Sequence, residues 1–254
     1  MLARRSVVKG VAGLPLASLL ANPALAAAAA AELQTVRITT DGGRKVAGAL
    51  AKPAQAPAAA VMLVHEWWGL NDQIKTVARE LAKEGYLALA IDLYKGQVAT
   101  SRDGARALMG GVAAGEAVDT VASWARWLKG HELATGKLGT VGWCFGGGWS
   151  LNASLHEAAD ATVVYYGRVI DDAGQLAKLK GPVLGHFASR DQWINQDMVG
   201  RFEKAMDAAG RPYTSHWYEA DHAFANPTSA RYDQEDAQLA WQRTLEFFAA
   251  NLKG

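Results

Sequence analysis

Continuous apolar runs recur along this chain and alternate with stretches that are apolar every third or fourth residue. "AVMLVHE" (60–66), "YLALAIDLY" (86–94), "KLGTVGWC" (137–144), "ATVVYYG" (161–167), "PVLGHFA" (182–188) and "YTSHWYE" (213–219) read as strands, several apolar enough to be buried on both faces. Between them, "NDQIKTVARELAKEG" (71–85) puts Ile74, Val77, Ala78, Leu81 and Ala82 on one helical face and stops at Gly85. A second helix is predicted over 116–129, with Val118, Val121, Trp124, Ala125 and Leu128 as its stripe, and two more over 196–209 and 229–252. Ahead of all this, "LQTVRITT" and "KVAGALAKP" alternate around Asp41-Gly42-Gly43, the pattern of a hairpin. No internal repeat or interior linker divides the chain. The alternation predicts one α/β domain, a doubly wound, mostly parallel sheet with helices on both faces and its site at the carboxyl ends of the strands.

The first residues read differently. "MLARRSVVKG" is basic, the next sixteen residues are apolar but too short to span a bilayer, and they close on Ala24-Leu25-Ala26, a small-x-small cleavage pattern. Residues 1–26 are expected to be a cleavable export signal. Arg4-Arg5 followed by Ser6, Val7, Val8 and Lys9 favours a twin-arginine signal over a general secretory one. Residues 27–254 form the predicted single α/β domain, beginning with a flexible alanine tract. Cleavage removes three cations and leaves 23 of the 26 Lys+Arg against 25 Asp+Glu, so no excess of positive charge points to nucleic acid or an acidic membrane. The processed protein is expected to be periplasmic or secreted and off the membrane.

The one cysteine excludes an intrachain disulfide and stands in "GTVGWCFGGGWS", between a strand and a predicted helix. Most solitary cysteines are small buried hydrophobes. A strand that ends in Gly-x-nucleophile-x-Gly, however, is the turn that lifts a nucleophile above an α/β sheet, and here that nucleophile is Cys144. The following helix start favours a thiolate. This fold requires nucleophile, acid and histidine in that order, and Asp191 and His222 each follow a predicted strand. Asp191 would orient the imidazole, and His222 would exchange the proton. His131, His156 and His216 fall at surface or edge positions and His186 inside an apolar strand. His65, at a strand end, is left open. No motif implies a metal or organic cofactor.

Taken together, "HEWWG" (65–69), "IDLY" (91–94), "GWCFGG" (142–147), "YYG" (165–167), "RD" (190–191) and "DHAF" (221–224) resemble the dienelactone hydrolases, an α/β-hydrolase family, over about residues 61–248. The resemblance implies a Cys144-Asp191-His222 triad and a role for Glu66, which in such enzymes contacts the resting cysteine and helps release its thiolate. It implies an oxyanion hole from the backbone N–H groups of Trp67 and Phe145. It further implies substrate contacts from Trp68, Tyr94, Lys95, Tyr165 and Asn226. Two family arginines that grip a substrate carboxylate are replaced, by Gly96 after "DLYK" and by Asn226 in "HAFAN". Lys95, Arg168 and Arg190 are the candidate substitutes. Trp67 and Trp68, with Trp143 and Trp193 as weaker candidates, suggest an aromatic pocket.

The expected function is hydrolysis of small-molecule lactones or carboxylic esters through a thioester acyl-enzyme, by a monomer. Two other classes compete with it: a catalytically silent scaffold that binds a small molecule, and a thiol redox sensor. The intact nucleophile–acid–histidine order argues against the first, and the lack of a resolving cysteine against the second.

Overall fold

The fold is that of a computed structural model, which describes residues 16–253. Eight strands form one sheet in the order β1-β2-β4-β3-β5-β6-β7-β8. β1 (Gln34–Thr39) and β2 (Lys45–Ala51) make the expected antiparallel hairpin, and β2 continues antiparallel onto β4 (Leu87–Ile91). β3 (Ala58–Val64), β4, β5 (Ala134–Trp143), β6 (Ala161–Tyr165), β7 (Val183–Ala188) and β8 (Tyr213–Tyr218) run parallel.

The helices follow from what the strands expose on each side. Val61 and Leu63 of β3 join a core with α3 (Asp72–Lys83) and α9 (Gln234–Leu252), while Ala60, Met62 and Val64 turn to α5 (Ala114–Lys129). The far end of that second face is closed by α6 (Phe145–His156) and α8 (Gln196–Ala208), whose Leu151, Val199 and Phe202 pack on Val164 and Phe187. All seven residues of β3 are buried, which is why its sequence reads as one apolar run. β3 and β5 lie side by side at the centre, with the chain crossing outward in opposite directions from them. The crevice at their carboxyl ends is therefore where a site belongs.

Two short helices were not anticipated, α4 (Arg102–Gly110) and α7 (Ala173–Leu176), and α9 starts later than the pattern suggested, capped by Asp233. A correction applies at the amino end. The alanine tract read as a flexible start is helical: α1 (Leu16–Leu20) and α2 (Pro23–Ala30) fold back on α3, burying Leu19 and Ala29. Alanine has the highest helix propensity, and docking supplies the stability a short alanine helix lacks alone. Thr76 Oγ1 donates to the Ala26 carbonyl at 3.1 Å, and Arg79 pairs with Glu32. Arg4, Arg5 and Lys9, the basic part of the expected signal, lie outside the described residues.

Candidate active site

β5 reaches the centre of the crevice and turns sharply into α6 through Cys144, whose φ of 54° lies in the left-handed region. Such a conformation is costly for a non-glycine residue and persists only where surrounding structure enforces it. The neighbouring glycines show how. A Cβ on Gly142 would meet the Gly146 carbonyl oxygen at 2.0 Å, and one on Gly146 would meet that of Val64 at 2.2 Å. The first turn of α6 is thus pressed onto the ends of β3 and β5, and the half-buried Cys144 stands at its start.

The loops after β7 and β8 bring the acid and the histidine together. Asp191 accepts at Oδ1 from the N–H groups of Trp193 (2.8 Å) and Ile194 (3.1 Å). Its Oδ2 lies 2.6 Å from His222 Nδ1. That contact assigns the ring proton to Nδ1 and turns Nε2 toward the sulfur. Burial opposes charge on His222, but the hydrogen bonds and charges of Asp191 and Cys144 outweigh it and raise the imidazole from its usual 6.5 to about 10. Asp191 is held below the ordinary carboxylate range: burial would raise it, but His222 and the two backbone N–H groups prevail.

Glu66 follows β3 and is also buried. Tyr166 donates its hydroxyl to Oε1 at 3.1 Å, and Asn226 donates its amide to Oε2 at 2.6 Å. Burial raises this carboxyl, against those two bonds and the charge of His222. The backbone N–H groups of Trp67 and Phe145 have no backbone carbonyl partner among the loop, turn and cap bonds of the described residues. Trp67 and Trp68 meet edge-to-face at 5.0 Å, partly exposed beside this opening.

His65, left open by the sequence, is fully buried. Its Nδ1 donates to the Glu66 carbonyl (2.6 Å) and its Nε2 accepts from the Leu93 N–H (3.2 Å), which ties the loop after β3 to the loop after β4. Burial lowers its pKa and keeps it neutral, as that pair of bonds requires. His186 is equally buried and hydrogen-bonded to Tyr218 and Thr244, remote from the sulfur.

Three expected substrate contacts are corrected. Tyr165 is the last residue of β6 and points to the α9 side, where its hydroxyl meets Thr244 at 2.7 Å. It is Tyr166, at φ 34°, that turns into the site and stands edge-on to His222. Tyr166 lies just beyond β6, and its backbone turn there, not strand alternation, sets its direction. Lys95 leaves the site altogether. Asp92 accepts from the N–H groups of Tyr94 and Gly96, and the resulting turn aims Lys95 at Glu116 in a cleft that Tyr94 also lines. Asn226 is at the site, but its amide is committed to Glu66. Of the other candidate cations, Arg190 pairs with Glu219 and Asp221, and Arg168 is exposed with its backbone against Gly148. Trp143 is core, stacked on Tyr165. Trp193 is 58% exposed, its ring edge-on to His222 at 5.2 Å, with the Arg231 guanidinium over its other side at 5.3 Å. Neither Tyr166 nor Arg231 was singled out from the sequence. The doubled tyrosine of "YYG" was the available signal for the first, and nothing local marked the second.

A mostly parallel eight-stranded sheet with a Gly-x-Cys-x-Gly turn after β5, and with Asp191 and His222 in the loops after β7 and β8, has the α/β-hydrolase fold. The chain belongs to the dienelactone hydrolase family, whose sequence profile matches residues 46–252. A Methylorubrum extorquens protein named after carboxymethylenebutenolidase is 34% identical over 217 residues, 78% of this chain and 74% of that one. The carboxymethylenebutenolidase of Pseudomonas putida is 26% identical, with 84% and 95% covered. A Klebsiella pneumoniae crystal structure bearing the dienelactone hydrolase name superposes with a TM-score of 0.76 at 28% identity, covering 85% of this chain and 98% of that one. The protein is a lactone or ester hydrolase acting on a small molecule.

Proposed function

We propose that the protein is an exported hydrolase that opens neutral lactones or esters through a thioester on Cys144. The observation that carries this reading is the position of His222, bonded to Asp191 on one side and interacting with Cys144 on the other. His222 takes the thiol proton, and the sulfur attacks as a thiolate. Attack on the acyl carbon forms the C–S bond and moves the carbonyl π pair onto oxygen, where the N–H groups of Trp67 and Phe145 receive it. Collapse breaks the C–O bond, and His222 gives its proton to the departing oxygen, which in a lactone stays tethered to the acyl group. A water then adds to the thioester, its proton taken by the now neutral His222. The second collapse releases the carboxylic acid and restores thiolate and imidazolium. A silent binding scaffold would not need its imidazole held on both sides.

The preference for a neutral substrate follows from where the cations go. Lys95 is engaged by Glu116, Arg190 by Glu219 and Asp221, and the position that could carry a gripping arginine holds Asn226, spent on Glu66. Arg168 and Arg231 remain, but Arg168 is exposed and Arg231 stands on an exposed Trp193, where solvent and salt screen them. A charge-assisted contact is worth about 1.5–3 kcal/mol, roughly 10- to 100-fold in binding. In kcat/KM, a neutral lactone is therefore expected to exceed dienelactone of matched reactivity by at least the lower figure. A clear preference for dienelactone refutes this part of the reading, and its loss in Arg231→Ala would name the anchor.

Export and processing after Ala26 are proposed from the basic start and the small-x-small pattern. Ala26 lies in α2, only 5% exposed, so α2 must leave α3 before it is cut. The exported protein is expected to begin near Ala27 by amino-terminal sequencing, and the double substitution Arg4→Lys, Arg5→Lys to block its accumulation outside the cytoplasm. Normal accumulation of that variant eliminates the twin-arginine route.

A further inference from the structure

The Tyr94 phenol is a buried donor with nothing to donate to. The residue is 3% exposed, and its hydroxyl has no hydrogen-bond partner among the described residues. Buried hydroxyls are normally paired, because leaving one unpaired costs about 1–3 kcal/mol. A buried donor without a protein partner is suited to a partner that arrives with the reaction.

Its surroundings point to what that partner is. The ring stands edge-on to His65 at 4.6 Å and tilted against Phe145 at 5.6 Å. It also fills the space beside Gly69, where an added Cβ would come within 3.2 Å of Tyr94 Cδ2. These neighbours belong to the two segments that supply the free N–H groups of Trp67 and Phe145. The phenol is also close enough for charge on Cys144 to act on it: burial first, and that charge second, hold its pKa above the usual 10, so the proton stays on oxygen. Little about its position is free to relax. The Tyr94 N–H is fixed to Asp92 Oδ1 at 2.7 Å, and the turn is completed by Lys95 at φ 55° and Gly96 at φ 87°. Ala99 N–H, bonded to the Trp68 carbonyl at 2.9 Å, ties the same loop to the oxyanion segment.

We infer that Tyr94 is a third oxyanion donor, a side-chain hydroxyl that joins the N–H groups of Trp67 and Phe145 on the oxygen of the tetrahedral intermediate. The inference rests on the proposed attack by Cys144. In the resting enzyme no group among the described residues accepts from the O–H. As the C–S bond forms and the carbonyl π pair moves to oxygen, the phenol donates to that oxygen without transferring its proton. A donor held for the oxygen of the intermediate acts in the transition state, which lowers the barrier rather than tightening substrate binding.

Tyr94→Phe tests this with little change in shape. Losing one oxyanion donor costs about 10²–10³ in kcat where it is a principal donor. As one of three, Tyr94 is expected to account for about 10- to 100-fold in kcat, with KM within about twofold. The melting temperature should hold, since the hydroxyl makes no hydrogen bond within the described residues. A second measurement separates donation from packing. A thionoester, whose sulfur accepts hydrogen bonds poorly, should lose less from the substitution than the matching oxygen ester, so the oxygen-to-sulfur rate ratio should fall toward unity. Unchanged kcat, or an equal loss on both substrates, overturns the inference. Either result would leave the Cys144 reading standing if the wild-type enzyme still forms its acyl-enzyme. If Cys144→Ala retains activity, the two fall together.

Discussion

Cys144→Ala is expected to lower hydrolysis of p-nitrophenyl acetate by about 10³-fold or more while leaving the melting temperature within about 3 °C of wild type. The asymmetry between activity and stability follows from the site's construction. The turn is enforced by backbone contacts at Gly142 and Gly146 and by the bonds of Cys144 N–H to Tyr165 and of its carbonyl to Gly147. None of these involves the sulfur, and alanine meets the same backbone demand at φ 54° as cysteine does. The thiolate, in contrast, has no substitute, since hydroxide at neutral pH is scarce and unpositioned. Acid quench during turnover followed by mass analysis should find one acetyl group on the peptide that carries Cys144, and none in the alanine variant. Adding His222→Ala to Cys144→Ala should cost little more, because members of one catalytic unit fail together. An alanine variant with most of its activity, or an acetyl group on another residue, would remove Cys144 from the mechanism.

What the sequence discloses here depends on whether local rules decide the matter. Strands buried on both faces announce themselves as apolar runs, and β3 to β7 fall where "AVMLVHE" through "PVLGHFA" put them. Cys144 is legible for a different reason: its glycines are demanded by contacts within a few residues, at Gly142 and Gly146. Side-chain direction just beyond a strand obeys neither rule. Tyr165 and Tyr166 are adjacent and alike, and only the exit of the chain from β6 at φ 34° turns the second inward. Lys95 sits next to the position of a missing arginine, yet the Asp92-capped turn and the charge of Glu116, remote in sequence, decide where its side chain goes. Asn226 and Glu66 are 160 residues apart, so no spacing could disclose their bond. α4 is obscured by Gly104 and by a single buried residue, Ala105, too little apolar surface to leave a periodic trace.

Asp191→Asn carries the second large effect, an expected loss in kcat/KM of about 10²–10⁴. Asparagine can still accept from the N–H groups of Trp193 and Ile194, so the loop need not move. What it cannot do is supply a full negative charge to the imidazolium, and its NH₂ end would face the Nδ1 proton as donor against donor. The sign of the pH effect follows from His222. Burial alone would depress its pKa, and hydrogen bonds and charge from Asp191 and Cys144 lift it to about 10. Removing the Asp191 share lets the proton leave at lower pH, so the alkaline limb of the kcat/KM profile should shift down in the variant. Stability follows the same linkage. A folded pKa above the unfolded 6.5 contributes stabilisation that is complete below about pH 6.5 and is lost as pH rises through about 10. The gap in stability between wild type and Asp191→Asn should accordingly be widest below pH 6.5 and narrow toward pH 10. In the proposed mechanism the same imidazolium protonates the departing oxygen, so the two profiles should move together. An alkaline limb that stays in place, with a loss under about tenfold, would mean that Asp191 anchors its loop and does not set the charge of His222.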